Sequence, residues 1–169
     1  ITRLINAVDI YVLVSMNPDG AAAGVRENSK GVDLNRAFPD FTTSDNRDDP
    51  TGRPAEVQAV MNFQKLHHFK LSANLHGGAE VVCYPWDTQA DPFPRLNLIK
   101  SLSLEYSRRV PYMWSSTDFP QGIINGFYWF PVDGGMQDWS IYYRGDLQVS
   151  IELTNDAWPP YASLKPLYL

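Results

Sequence analysis

Apolar residues along this chain fall into three short runs and two stretches of helical spacing, separated by polar segments. The first run, VDIYVLVSM from Val8 to Met16, is β-branched and nearly unbroken, which predicts a strand buried on both faces. It stops at NPDG, a strong turn signal. Residues 20–53 are rich in Gly, Asn, Asp, Arg and Pro without sustained period, so a long loop is predicted, of a length that usually carries function. From Pro54, PAEVQAVMNFQKLHHF spaces Val57, Val60, Met61 and Phe63 or Gln64 as one helical face, with Pro and Glu in the first turn. A second short strand, KLSANLHGG, follows, with EVVCYP as its extension into the next loop. The segment PRLNLIKSLSLEYSRRV aligns Leu96, Leu98, Ile99, Leu102 and Tyr106 on a second amphipathic helix. Residues 111–139 are aromatic, glycine-rich and irregular, and LQVSIEL from Leu147 to Leu153 reads as a third buried strand before a proline-rich tail. Strands alternating with helices predict an α/β domain with a largely internal sheet.

Bulk properties narrow the classes. The 169 residues suffice for a single domain, 1–169, with a sizeable core. A formal net charge of −5 and the absence of Lys/Arg runs argue against nucleic acid and anionic membrane surfaces as partners, while leaving room for an acidic pocket that takes a cation. Cys83 is the only cysteine, which rules out an internal disulfide and a cysteine-rich structural zinc site. No apolar run approaches the ~20 residues of a transmembrane segment. The opening ITRLINAVDIYVLV lacks the pattern of a signal peptide and begins without Met, so the chain is expected to be cut from something longer.

Three predicted strands end in polar groups, SMNPDG, NLHGG and SIELTND, and ligands of open α/β sheets collect at such strand ends. His76 and Glu152 each interrupt an apolar strand near its exit. A buried carboxylate is costly unless paired, bonded or protonated. On pattern alone two readings stay open: a core histidine and a glutamate bonded to backbone or arginine, or a site. The long loop adds Arg26, Asn35 and Arg36 in GVRENSKGVDLNRAFPD. Singly each arginine reads as a surface residue. Together they make a cationic patch with planar donor forks suited to carboxylates.

These residues resemble the zinc metallocarboxypeptidases, in the branch of carboxypeptidases N, E, M and D. The matching stretches are SMNPDG, GVDLNRAFPD, SANLHGG, YPWD, GIINGFYWFPVDGGMQDW and VSIEL, in family order across about residues 8–156. The resemblance implies a mixed, mostly parallel sheet flanked by helices and a zinc-dependent exopeptidase that hydrolyses the C-terminal peptide bond of peptides or proteins. It implies His76 as the third protein ligand of one catalytic zinc, Glu152 as general base, and Arg26 as the stabiliser of the oxyanion. Asn35 and Arg36 match the pair that grips the terminal carboxylate. Asp87 and Gln137 match the side-chain pocket of the basic-residue branch, which implies release of C-terminal Arg or Lys. Against this, Asp87 in YPWDTQADPFP also reads as a loop residue capping a turn.

Two departures stand out. Phe130 occupies the place of the family's mobile-loop tyrosine, so its ring closes over the pocket without a hydroxyl; Tyr128 lies two positions earlier. The His-x-x-Glu motif that supplies the first two zinc ligands is absent, and His67 and His68 read as surface or helix-end residues. Two further ligands are therefore expected outside this chain, and the chain alone is expected to be inactive. The resemblance also implies a central strand between VDIYVLVSM and KLSANLHGG that is missing here, leaving apolar sheet edges for a complementing polypeptide segment. The alternatives are a metal-free pseudo-peptidase that binds peptide C-termini, and a related amidase acting on cell-wall peptides. The family implies an extracellular, periplasmic or secretory location.

Overall fold

The computed structural model describes residues 2–160 together with Ala162; the end of the proline-rich tail lies outside the described residues. In chain order the elements are α1 (Thr2–Ile5), α2 (Pro18–Ala23), α3 (Ala55–Leu66), β1 (Leu71–His76), β2 (Val81–Tyr84), α4 (Leu96–Ser107), α5 (Pro111–Trp114), β3 (Ile123–Asn125), α6 (Gly126–Trp129), α7 (Met136–Trp139) and β4 (Leu147–Glu152). The strands form one mixed sheet in the order β1-β4-β2-β3, with β1–β4 and β2–β3 parallel and β2–β4 antiparallel. The α/β expectation holds, and EVVCYP is a strand in its own right rather than an extension of its predecessor.

Packing follows the period of each element. Leu147, Val149 and Ile151 of β4 join Val82, Trp86, Phe93, Ile99 and Met113 in one core cluster between the sheet and α4. The buried face of α4 is narrower than its sequence predicts. Ile99, Ser103 and Ser107 are buried, whereas Leu98 and Tyr106 are exposed. Serines serve here because each hydroxyl has a carbonyl to bond, Ile99 O for Ser103 and Gln121 O for Ser107, both at 2.8 Å. On α3, Val57, Val60, Met61 and Gln64 are inside and Phe63 is exposed. This helix forms a second cluster with Leu34, Phe38 and Trp139, at about 1.5–3 kcal/mol for each fully buried large side chain. Leu34 and Phe38 thereby tether the long loop that carries the arginines.

The strand expected at Val8–Met16 is not formed, and the segment is not buried. Val12 is 79% exposed and Val14 93%, and only Tyr11 finds ring contacts, with Phe63, His67 and Phe69. A strand needs a neighbour for its N–H and C=O groups, and among the described residues β1 pairs with β4 alone. The apolar face of β1 is uncovered for the same reason, with Leu71 56% and Leu75 62% exposed. NPDG is a helix start, not a simple turn: the Asn17 side chain accepts from Gly20 N at 3.0 Å and Pro18 begins α2.

This distribution of burial sets an order of sensitivities. Ile99→Ala is expected to destabilise by about 2–5 kcal/mol and Val12→Ala by less than about 0.5 kcal/mol in denaturant unfolding. Equal losses would mean that the exposed segment is packed.

Candidate active site

Both strands that reach the site alternate. In LSANLH the apolar Leu71, Ala73 and Leu75 face one way and Ser72, Asn74 and His76 the other; LQVSIE divides in the same manner. Parallel register aligns Ser72 with Gln148, Asn74 with Ser150 and His76 with Glu152. One face of the β1–β4 pair is therefore polar throughout, and His76 and Glu152 leave it side by side. They do not interrupt apolar strands, as the sequence reading has it; each is the last member of a polar row.

Arg26 lies over this pair. Its Nη1 is 3.3 Å from His76 Nδ1. A guanidinium only donates, so Nδ1 is the acceptor and carries no proton, and the ring proton sits on Nε2, 2.5 Å from Asn74 Oδ1. Burial, reinforced by Arg26, pushes the His76 pKa down to about 4 and keeps the imidazole neutral. Burial raises Glu152 to about 7, against the opposing pull of Arg26, and its Oε2 is buried without a hydrogen-bond partner.

The loop delivers its cations through one acid. Asp33 caps the turn Leu34–Arg36 by accepting from Asn35 N at 2.9 Å. Its Oδ2 faces Arg26 Nε at 3.2 Å and Arg36 Nη1 at 3.9 Å, so one carboxylate orients both guanidinium groups. Asn35 Oδ1 accepts from Met136 N at 2.9 Å, which leaves its NH2 as the free-facing end. Gly134 makes the crossing possible, because a Cβ there would lie 2.6 Å from Arg36 O and its φ is +69°. Arg26, Asn35, Arg36, His76 and Glu152 all line one cleft, and Asp87 and Phe130 line it too.

A sequence profile described as zinc carboxypeptidase matches residues 1–168. The chain belongs to the zinc carboxypeptidase family. It is 36% identical to carboxypeptidase M of Mus musculus over 99% of this chain and 42% of that protein. It is 34% identical to the carboxypeptidase N catalytic chain of Homo sapiens over 100% of this chain and 46% of that one. Carboxypeptidase SOL1 of Arabidopsis thaliana is 36% identical over 98% of this chain and 35% of its own length. The chain thus spans less than half the length of these relatives. Among solved structures, thrombin activatable fibrinolysis inhibitor superposes with a TM-score of 0.69 at 20% identity, over 89% of this chain and 44% of that one. Carboxypeptidase A of Helicoverpa armigera gives 0.64 at 18%, over 87% and 43%. At such identities these two likenesses show the fold.

Zinc is the family's metal, and the residues present meet it in part. The bare Nδ1 of His76 and the unpartnered Oε2 of Glu152 are acceptor atoms with a use for a cation. Among the described residues no three His, Cys, Asp or Glu side chains converge as a ligand set. His76 is thus fit to be one ligand and not to make a zinc site by itself. His67 sits at the end of α3 among aromatic rings, away from the cleft lining.

The remaining carboxylate is packed from behind. Asp87 is buried, and its Oδ1 accepts from Gln137 Nε2 at 2.8 Å. Gln137 is 1% exposed and does not line the cleft; its Oε1 accepts from Ser150 N at 2.6 Å, so it acts as a strut between β4 and Asp87. Gly126 lets the carboxyl in, because any side chain there would run into Asp87 Oδ1. Burial, then the neighbouring Asp138, push the Asp87 pKa well up. Asp87 is not simply a turn cap: the backbone N–H groups of Asp87 and Thr88 donate to Asp138 Oδ2 at 2.8 and 2.9 Å, and Asp138 does the capping. Sequence reasoning missed Asp138 and Asp33, though Asp33 stands between the arginines in VRENSKGVDLNR.

The raised Glu152 pKa has a consequence for stability. Its folded value of about 7 exceeds the ordinary 4.5, so the folded state binds the proton more tightly and stability falls as pH rises through that window. Glu152→Gln never ionises. In the metal-free protein it is expected to raise Tm at pH 8 and to leave Tm unchanged at pH 4; a lower Tm at pH 8 would contradict the burial of this carboxylate.

Proposed function

We propose that the protein is a zinc-dependent exopeptidase that removes C-terminal Arg or Lys from peptides or proteins, with two of its three zinc ligands contributed from outside this chain. The carrying observation is the convergence of a neutral imidazole, an unpartnered carboxylate, two guanidinium groups and a buried acid on one cleft. Location outside the cytoplasm, in the secretory pathway or a periplasm, is part of the same reading and rests on the family. No helix among the described residues is long and apolar enough to cross a membrane.

Zinc, when bound, supplies Lewis acidity at the scissile carbonyl. His76 would hold it through the unprotonated Nδ1. Glu152 takes a proton from the attacking water and returns it to the leaving amine. Arg26 donates to the developing oxyanion, a contribution of roughly 3 kcal/mol for a well-placed donor. Arg36 and the Asn35 NH2 bind the terminal carboxylate and so restrict cleavage to the last peptide bond. Phe130 stands at the cleft with its ring 5.9 Å from the Arg36 guanidinium carbon and adds apolar cover. Asp87 gives the specificity. Burial and the neighbouring Asp138 outweigh the pull of Arg36 and disfavour the Asp87 anion, and an incoming Arg or Lys side chain supplies further positive charge. Gln137 keeps that carboxyl aimed.

Two measurements test this. In the intact, zinc-loaded protein Glu152→Gln is expected to lower kcat by about 10²–10⁴-fold while zinc content stays the same. Unchanged turnover would remove Glu152 as base. Asp87→Asn is expected to reduce the ratio of kcat/KM for peptides ending in Arg over those ending in Phe by at least about tenfold. A parent that releases Phe faster than Arg overturns the basic specificity.

A further inference from the structure

The polar row beneath His76 continues into the core as a chain of hydrogen bonds that the proposed hydrolysis does not use. His76 Nε2 lies 2.5 Å from Asn74 Oδ1, and Asn74 Nδ2 donates to Gln148 Oε1 at 2.9 Å. Gln148 Nε2 donates to Ser72 Oγ at 2.8 Å, and the Ser72 hydroxyl donates to Asp146 Oδ2. Ser140 Oγ is 2.8 Å from both Asp146 Oδ1 and Gln64 Oε1. Gln148, Asp146, Ser140 and Gln64 are buried, and Ser72, Asn74 and His76 are half-buried, so the inner end of the chain is the better shielded from water.

This chain has a direction, and its acid end determines it. Amide groups are reversible: Asn74 and Gln148 can each turn to exchange oxygen for nitrogen. Ser140 has one proton. Given to Gln64, it leaves Asp146 to hold the acid proton on Oδ1 against Ser140; given to Asp146, it bonds a carboxylate. A proton on Oδ2 itself would reverse the chain. With Asp146 ionised, or with its proton on Oδ1, Oδ2 has only lone pairs for Ser72, so Ser72 donates to it and accepts from Gln148. Gln148 must then present its oxygen to Asn74, and Asn74 its oxygen to His76. An oxygen beside Nε2 requires the ring proton there.

We propose that Asp146 is a positioning residue for His76: through Ser72, Gln148 and Asn74 it keeps the imidazole proton on Nε2 and the Nδ1 lone pair toward the cleft. The inference rests on the reading of His76 as a zinc ligand, since a neutral imidazole ligates through its unprotonated nitrogen. Arg26 favours the same tautomer from the cleft side. Its contact with Nδ1 ends once that nitrogen is ligated, whereas the buried relay persists.

The test is nitrogen-15 NMR of the His76 ring in the intact, metal-free protein, in an Arg26→Ala background that removes the competing donor, with thermal unfolding run beside each variant. The background is expected to show one tautomer with a slowly exchanging Nε2–H. Adding Asn74→Leu is expected to abolish that protected proton and populate both tautomers, and Asn74→Asp, which keeps the acceptor oxygen, to retain it. Ser72→Ala cuts the link to Asp146 without touching Asn74 and is expected to give tautomer exchange; Ser72→Val, which likewise carries no hydroxyl, replaces it should the alanine variant not fold. A protected Nε2–H unchanged in Ser72→Ala overturns the role of Asp146, as does an Nδ1–H in the background. Turnover does not enter these spectra, so their failure leaves the hydrolytic role of Glu152 standing, and failure of the Glu152 assay leaves the tautomer result readable.

Discussion

The pairing of β1 with β4 is the constraint on which the site depends. Both strands alternate apolar and polar residues, and the parallel register aligns His76 with Glu152. A slip of one residue would turn one row toward the apolar core and separate the two groups by the thickness of the sheet. The apolar row of β4 is locked under α4, so the polar row is committed to the other face. There it is capped by the cleft at one end and by Asp146 at the other.

The electrostatics follow from that commitment. His76 and Glu152 are drawn from water by the elements around them, which lowers one pKa and raises the other, so the imidazole is neutral and the carboxyl is poised between its two forms near pH 7. Arg26 is held over them by Asp33 and by its own contact with His76 Nδ1. The loop that carries it is itself anchored by Leu34 and Phe38 against α3 and Trp139. A stretch that reads as irregular is thus held in place by two apolar side chains and by hydrogen bonds to Asp40 and Arg53.

A second feature is the contrast between the two sides of the sheet. Around Asp87, Gln137 and Asp138 packing is dense and every approach is close, down to the glycine at 126. Around β1 the apolar face and the Val8–Val14 segment are open. Relatives of the family extend beyond the portion matched here. The cleft is nevertheless assembled: His76 at the end of β1 meets walls from β2, β4, the 26–36 loop and the 126–132 segment.

The residues that meet at the cleft were legible in the chain, because each is a chemical type at a strand end or in a family stretch: His76, Glu152, Arg26, Asn35, Arg36 and Asp87. Both long helices were legible from their apolar period. What the sequence could not decide was what each element pairs with. Val8–Met16 has the composition of a buried strand, yet burial and ladder bonds require a neighbour, and none is paired with it among the described residues. The alternation in LSANLH and LQVSIE was present to be read, but its meaning depends on register, which places Asn74, Gln148 and Ser72 in one row only when the two strands lie side by side. Gln137 as a strut, Asp33 as the link between two arginines and Asp146 as the end of a relay are likewise tertiary facts. Local chemistry is written residue by residue, whereas hydrogen bonds across fifty or more positions exist only once the chain has closed on itself.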